Sequence, residues 1–182
     1  MLYIMRHGKT DWNVRHKLQG RTDIPLNPEG RKMAEDAGIK YRDVHFDVCY
    51  CSPLVRARET AELVLRGRNI PIIYDDRLME MGFGIYEGIE NSFQIEDCPI
   101  NVLFWDPAHY IPVQGGESLQ ELFERTGAFL KEIVEPALAE GKDILIVGHG
   151  AMNSGIVCQI RDIPIEHFWD AGIENCKLMQ LV

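Results

Sequence analysis

Short apolar runs alternate along this chain with stretches of helical periodicity, and most of the runs end in a polar or glycine-bearing step. Leu2 to Met5 reads as a buried strand that delivers Arg6, His7 and Gly8 at its end. Residues 9 to 26 are polar and irregular and predict a long functional loop. Asn27-Pro28 then starts a helix, with Asn as cap and Pro at the first helical position, running to about Ile39. Phe46 to Cys51 predicts a second strand. After it, Ser52-Pro53 reads as cap and opening of a helix that carries Arg56, Ala57, Thr60, Ala61 and Val64 at helical spacing. Ile70 to Tyr74 predicts a third strand, and Leu78 to Gly84 a glycine-broken loop carrying Glu80.

Residues 89 to 114 have poor periodicity and contain Pro99, Trp105, Pro107 and Pro112, so they read as an insertion or lid. The longest amphipathic helix follows from Glu117 to Leu138, with Leu119, Leu122, Phe123, Phe129, Leu130, Ile133 and Val134 on one side. Asp143 to Val147 is the clearest strand and ends at Gly148-His149-Gly150. A helix from about Ala151 to Ile160 and a last strand from Asn175 to Val182 complete the pattern. Strands alternating with helices predict an α/β fold: a three-layer sandwich with a mostly parallel central sheet and helices on both faces. The whole chain, residues 1–182, reads as one domain with 89–114 inserted in it. In open α/β sheets ligands sit at the carboxyl ends of strands. Arg6-His7, Ser52 to Arg56, Glu80 and Gly148-His149 all fall there.

Composition narrows the partners. With 46% hydrophobic residues the chain can build a core. A net charge of -9 and a pI near 5.1 argue against nucleic acid or an anionic membrane, which want a basic face. They leave room for a small phosphate ester, since a few local Arg and His suffice for a positive pocket. No transmembrane stretch is visible, and Met1 to Met5 lacks the basic leader and cleavage site of a signal peptide, which predicts a cytoplasmic protein. The five cysteines (49, 51, 98, 158 and 176) show no framework spacing and read as free buried thiols. No clustered carboxylates suggest a metal site, and no cofactor is expected. Oligomeric state is open.

Phosphoryl transfer needs a nucleophile, cations on the non-bridging oxygens and an acid for the leaving oxygen. His7 beside Arg6 supplies the first need. Gly8 lets the backbone approach a ligand closely. Arg56, in a first helical turn, offers a planar fork suited to phosphate. His149 stands between two glycines at a strand end, and Glu80 is the carboxylate of the fourth segment.

At these residues the chain resembles the histidine phosphatase superfamily, also called phosphoglycerate mutase-like. The resemblance rests on Arg6-His7-Gly8-Lys9-Thr10 with Trp12-Asn13, Gln19-Gly20 and Thr22 to Asn27, and on Ser52 to Ala61. It continues through Glu80 to Gly88, Gly115 to Ser118 and Val147 to Gly150. It implies His7 as a nucleophile that becomes phosphohistidine, and Arg6, Arg56 and His149 as a phosphate clamp with Asn13 as a further donor. Glu80 is implied as proton donor and then base for water, without metal or cofactor. Glu87 is the rival carboxylate in the same loop. Lys9 and Arg58 read as solvated. Phe104, Trp105 and Tyr110 read equally as lid core or substrate contact.

Two reactions share this set. A cofactor-dependent phosphoglycerate mutase would, by the family pattern, carry Arg-His-Tyr after the acidic Glu and a basic stretch in the insertion. Here Met81-Gly82-Phe83 follows Glu80, and residues 89 to 114 contain no Lys or Arg. A phosphatase is therefore expected, and the compact length resembles both the broad-specificity and the alpha-ribazole-phosphate branches of the family. A non-catalytic binding module would not need both a nucleophile and an acid.

Overall fold

The computed structural model describes residues 1–182. Five strands form one sheet: β1 (Leu2–Arg6), β2 (Val48–Cys51), β3 (Ile72–Tyr74), β4 (Ile144–Gly148) and β5 (Leu178–Gln180). The strand order is β3-β2-β4-β1-β5, parallel throughout except for β5, which runs antiparallel to β1. Arg6 pairs with Gly148 in the register of β1 and β4, so the steps that follow them, His7 and His149, leave the sheet side by side.

Side chains alternate across the pleat and sort the two faces. Leu2, Ile4, Ile144 and Ile146 point into one core, shared with Ala151, Met152 and Ile156 of α7 (Gly150–Arg161). Met5, Leu145 and Val147 point into the other, with Ala34 and Ala37 of α2 (Pro28–Lys40) and Ala57, Ala61 and Val64 of α3 (Val55–Val64). The result is the expected three-layer α/β sandwich.

Several boundaries differ from the pattern, each for a physical reason. The polar loop after β1 contains one helical turn, α1 (Asp11–Val14), held by a capping box between Thr10 and Asn13. Ser52 does not cap α3: Leu54 occupies the cap position without a side-chain bond, and the backbone N–H of Val55 donates to Asp23 Oδ1 at 2.7 Å. The cap is thus supplied from 32 residues away, which no local pattern shows. Residues 89–114 form short turns and α4 (Val102–Trp105), with Ile100 and Leu103 fully buried in the α7-side core. The long amphipathic helix begins at the Ser118–Glu121 capping box as α5 (Leu119–Phe129), widens to a π turn at Leu130–Val134 and resumes as α6 (Glu135–Ala139). Pro136 has no N–H to give to the preceding turn, and its ring crowds the carbonyl four residues back, which accounts for the widening. The last strand starts at Leu178 because Cys176 adopts a positive φ of 56°.

One close approach fixes the position of the His7 loop. A Cβ on Gly8 would lie 2.5 Å from the carbonyl oxygen of Gly30 in α2, and a Cβ on Gly30 would overlap Lys9 backbone atoms. The helix therefore abuts the backbone of residues 8 and 9 with no side chain between them. Gly30→Ala should cost about 1–3 kcal/mol of stability through overpacking. Urea denaturation measures this, and an unchanged midpoint would contradict the contact.

Candidate active site

The carboxyl ends of β1, β2 and β4 and the loop after β3 deliver Arg6, His7, Ser52, Glu80 and His149 to one place, and the first turn of α3 adds Arg56. The group is deeply enclosed. His7 is 2% exposed, His149 and Arg56 0%, and Glu80 7%. The two imidazole rings lie 5.2 Å apart between centroids.

Hydrogen bonds decide which atoms are free. His7 Nδ1 lies 2.6 Å from the carbonyl oxygen of Gly8, which can only accept. Nδ1 therefore carries the proton and Nε2 keeps its lone pair. His149 Nε2 lies 2.7 Å from Ser52 Oγ, and that oxygen already accepts from the Leu54 N–H at 3.3 Å. The serine O–H, which has no other acceptor, donates to Nε2, so the proton of His149 sits on Nδ1. His149 Nδ1, Arg6 Nε and Arg56 Nε are all buried N–H donors without a protein acceptor. Buried donors are almost always paired, so three orphans around one imidazole mark a place built for an acceptor-rich group.

The charges agree. Burial, reinforced by the Arg56 and Arg6 guanidinium groups, holds His7 well below the ordinary imidazole pKa, although its bond to Gly8 opposes this. His149 is held well below for the same leading reason, with Arg56, His7, Arg6 and Arg125 adding to it. Both rings are thus neutral at pH 7. Burial lowers Arg56 to about 10 and lowers Arg6 as well, and Glu80 opposes both shifts. The guanidinium groups stay charged, with the Glu80 carboxylate beside them. Glu80 Oε1 accepts the N–H groups of Met81 and Met152 at 2.8 and 2.9 Å, while Oε2 accepts only that of Ala151, at 3.2 Å. The carboxylate therefore rests against the first turn of α7, where the helix dipole favours an anion.

Asn13 lies on the α1 turn. Its Oδ1 accepts from Thr10 N and Thr10 Oγ1, while its Nδ2 donates to no protein group. Glu87 does different work from Glu80. Its Oε1 accepts from the N–H groups of Arg21 and Phe83 and its Oε2 from Thr22 Oγ1, so it ties the loop after β1 to the loop after β3. Arg56 reinforces that tie by donating to the carbonyls of Gly20 and Thr22. Lys9 pairs with Glu29, and Arg58 is exposed over the Tyr74 ring.

Three neighbours were not legible in the sequence as parts of the site. Asn175 Nδ2 donates to the His7 carbonyl at 2.6 Å, Thr60 Oγ1 accepts from Gly8 N–H at 3.0 Å, and Ser52 orients His149. Thr60 and Ser52 lie in the quoted motifs, but Asn175 carries no signal. All five cysteines are free and buried. One acidic cluster does form, against expectation: His45, Asp47 and Asp143 offer ligand atoms within 4.8 Å of one another. It is mostly exposed and lies at the amino ends of β2 and β4, across the sheet from His7, and its carboxylates already accept from His45, the Asp143 N–H and the N-terminal amine. No helix is long and apolar enough to cross a membrane.

The profile described as histidine phosphatase superfamily (branch 1) matches residues 2–182. A 2,3-bisphosphoglycerate-dependent phosphoglycerate mutase from Cytophaga hutchinsonii is 34% identical over 169 residues, 91% of this chain and 79% of that protein. Phosphoserine phosphatase 1 of Hydrogenobacter thermophilus is 29% identical over 177 residues, 97% of this chain and 83% of its own. The crystal structure of the alpha-ribazole phosphatase from Shigella flexneri is similar at a TM-score of 0.82 and 30% identity, over 97% of this chain and 87% of that one.

The two buried imidazoles predict a pH dependence of stability. Their pKa values are lower folded than unfolded. As pH falls below about 6.5 the unfolded chain binds protons that the folded chain refuses, so stability declines. The slope between pH 6.5 and 5.5 should approach about 1.4 kcal/mol per pH unit for each histidine, read from urea unfolding. A flat profile in that window would contradict the neutral, buried pair.

Proposed function

The chain belongs to the histidine phosphatase superfamily, branch 1, and on that premise we propose that it hydrolyses a small phosphomonoester without a metal, through a phosphohistidine formed on His7. One observation carries the reading: three orphaned N–H donors, on Arg6, Arg56 and His149, surround an imidazole whose Nε2 is left as a lone pair. The donors suit the non-bridging oxygens of a phosphoryl group, with Asn13 Nδ2 as a fourth. His7 Nε2 attacks phosphorus as the bond to the alkoxide leaving group breaks. The two guanidinium groups supply the positive charge on the phosphoryl oxygens.

Glu80 gives the leaving oxygen its proton. Oε2 is the atom for this role, because it holds only the longest of the three backbone bonds. Glu80 acts here in its carboxylic-acid form. After the alcohol leaves, the same carboxylate, now ionised, takes a proton from the water that attacks the phosphohistidine. Hydrolysis then releases phosphate and restores neutral His7. The enzyme works in the cytoplasm, as one domain with residues 89–114 as a lid.

The 34% identity to a mutase favours a second reading, phosphoglycerate mutase chemistry. Against it stand Met81-Gly82-Phe83 after Glu80 and a 89–114 segment with no cationic residue to bind a substrate carboxylate.

Glu80→Gln should damage poor leaving groups far more than good ones. On an alkyl phosphate the phosphoryl-transfer step should slow by about 10²–10⁴-fold, the usual value of general acid assistance. On p-nitrophenyl phosphate the same step should slow much less, with burst kinetics separating it from dephosphorylation. An equal, small effect on both esters would remove Glu80 from the acid role. Leaving-group dependence in Glu87→Gln alone would transfer that role to Glu87. Turnover of the unmodified enzyme should persist in excess chelator, and loss restored by a divalent ion would overturn the metal-free mechanism.

A further inference from the structure

Two cavities flank the phosphate clamp and differ in chemistry. One, of about 570 Å³, lies against Arg6 and is walled by Lys9, Ser154, Trp169, Glu174 and Asn175 among others. Its charges are already met: Lys9 pairs with Glu29 at 2.6 Å and Glu174 with Lys177 at 2.8 Å. The other, of about 420 Å³, lies between residues 13–18 and 91–104 and is walled by Asn13, Lys17, Asn91, Phe93, Gln94 and Phe104 among others. Asn13, the fourth phosphate donor of the proposed mechanism, belongs to this wall, so on that reading a phosphoryl group held by its Nδ2 has this cavity beside it.

The second cavity has an aromatic side whose rings are only partly covered. Phe104 is braced from behind by stacking on Trp169, at 5.3 Å and 21° between planes. Phe93 meets Phe104 edge to face at 5.3 Å and leans on Trp105 at 5.7 Å. Phe93 is nevertheless 55% exposed and Trp105 68%. The ionisable groups of the cavity wall are His16 and Lys17. Lys17 stands over the Trp12 ring and lies 4.0 Å from Glu90, and the segment from 89 to 114 adds Glu90, Glu96, Asp97 and Asp106 but no cation. With Lys17 engaged and four carboxylates in the neighbouring segment, an anionic leaving group is disfavoured here, while Asn91 and Gln94 can hydrogen-bond a neutral polar edge.

We propose that this cavity receives the leaving group of the phosphomonoester, and that the leaving group carries an uncharged aromatic or heteroaromatic ring packed on Phe93 and Phe104. The inference rests on the phosphatase reading and adds a substrate class to it. Aromatic faces stack on one another in offset or edge-on arrangements, and the cavity is within the size range of small-molecule pockets.

The test compares benzyl phosphate, isobutyl phosphate and O-phosphoserine, all alkyl monoesters, so that ring contact is separated from attack on aryl esters. The enzyme should show its highest kcat/KM on benzyl phosphate. Phe93→Ala should lower the benzyl-to-isobutyl ratio of kcat/KM by about five- to tenfold, mainly through KM, as expected for one lost aromatic contact. Phe93→Tyr should keep the ratio. Because Phe93 is largely exposed, the alanine variant should fold, which circular dichroism checks. Phosphate release without a preference for the ring, or a ratio that Phe93→Ala leaves intact, overturns this inference alone. A preference for O-phosphoserine that Lys9→Ala or Glu174→Ala abolishes assigns the leaving group to the cavity at Arg6 and also overturns it. No release from any ester overturns the phosphatase reading and the inference together.

Discussion

Two guanidinium groups are buried in one enclosed site, with Glu80 close enough to act on both, and the rest of the candidate site is arranged around them. Arg56 is fully buried, and Arg6 and Arg56 both feel Glu80. Burying a cation is costly unless it is paired and hydrogen-bonded. Arg56 meets part of that cost by donating to the Gly20 and Thr22 carbonyls, and Arg6 by donating to Ile173. Burial, reinforced by the two guanidinium groups, keeps both histidines neutral, and a neutral imidazole is the form that can act as a nucleophile. The proposed mechanism sets a phosphoryl dianion against these two cations.

The scaffold holds this arrangement with backbone rather than with long side chains. Strand register places His7 and His149 side by side. The Gly8–Gly30 approach sets the His7 loop against α2, and the first turn of α7 receives Glu80 on two backbone N–H groups. Glu87 then straps the loop after β1 onto the loop after β3. Backbone supports of this kind restrict side-chain position more closely than long flexible side chains do.

Much of this could be read from residue order. Apolar runs located the central strands β1, β2 and β4 because these parallel strands are mostly buried, and Arg6-His7, Arg56, Glu80 and His149 stood out because they lie at or beyond strand ends. What escaped the sequence was every contact between distant segments. Asp23 capping α3, Asn175 holding the His7 carbonyl and Ser52 setting the His149 tautomer depend on the fold rather than on local spacing. Ser52 was misread as a cap because Ser-Pro is a common helix start, whereas its hydroxyl is turned toward His149. The cluster of His45, Asp47 and Asp143 was invisible for the same reason, since 96 residues separate Asp143 from Asp47.

The claim on which the account turns is that His7 carries the phosphoryl group. Acid or base quench of the enzyme during turnover of p-nitrophenyl phosphate, followed by peptide mass spectrometry, tests it most directly. The account predicts one phosphate on the peptide containing His7, stable in base, lost in acid and absent from His7→Ala, together with a burst of nitrophenol equal to the enzyme present when dephosphorylation limits the rate. Phosphate on another residue, or full turnover by His7→Ala, would contradict it.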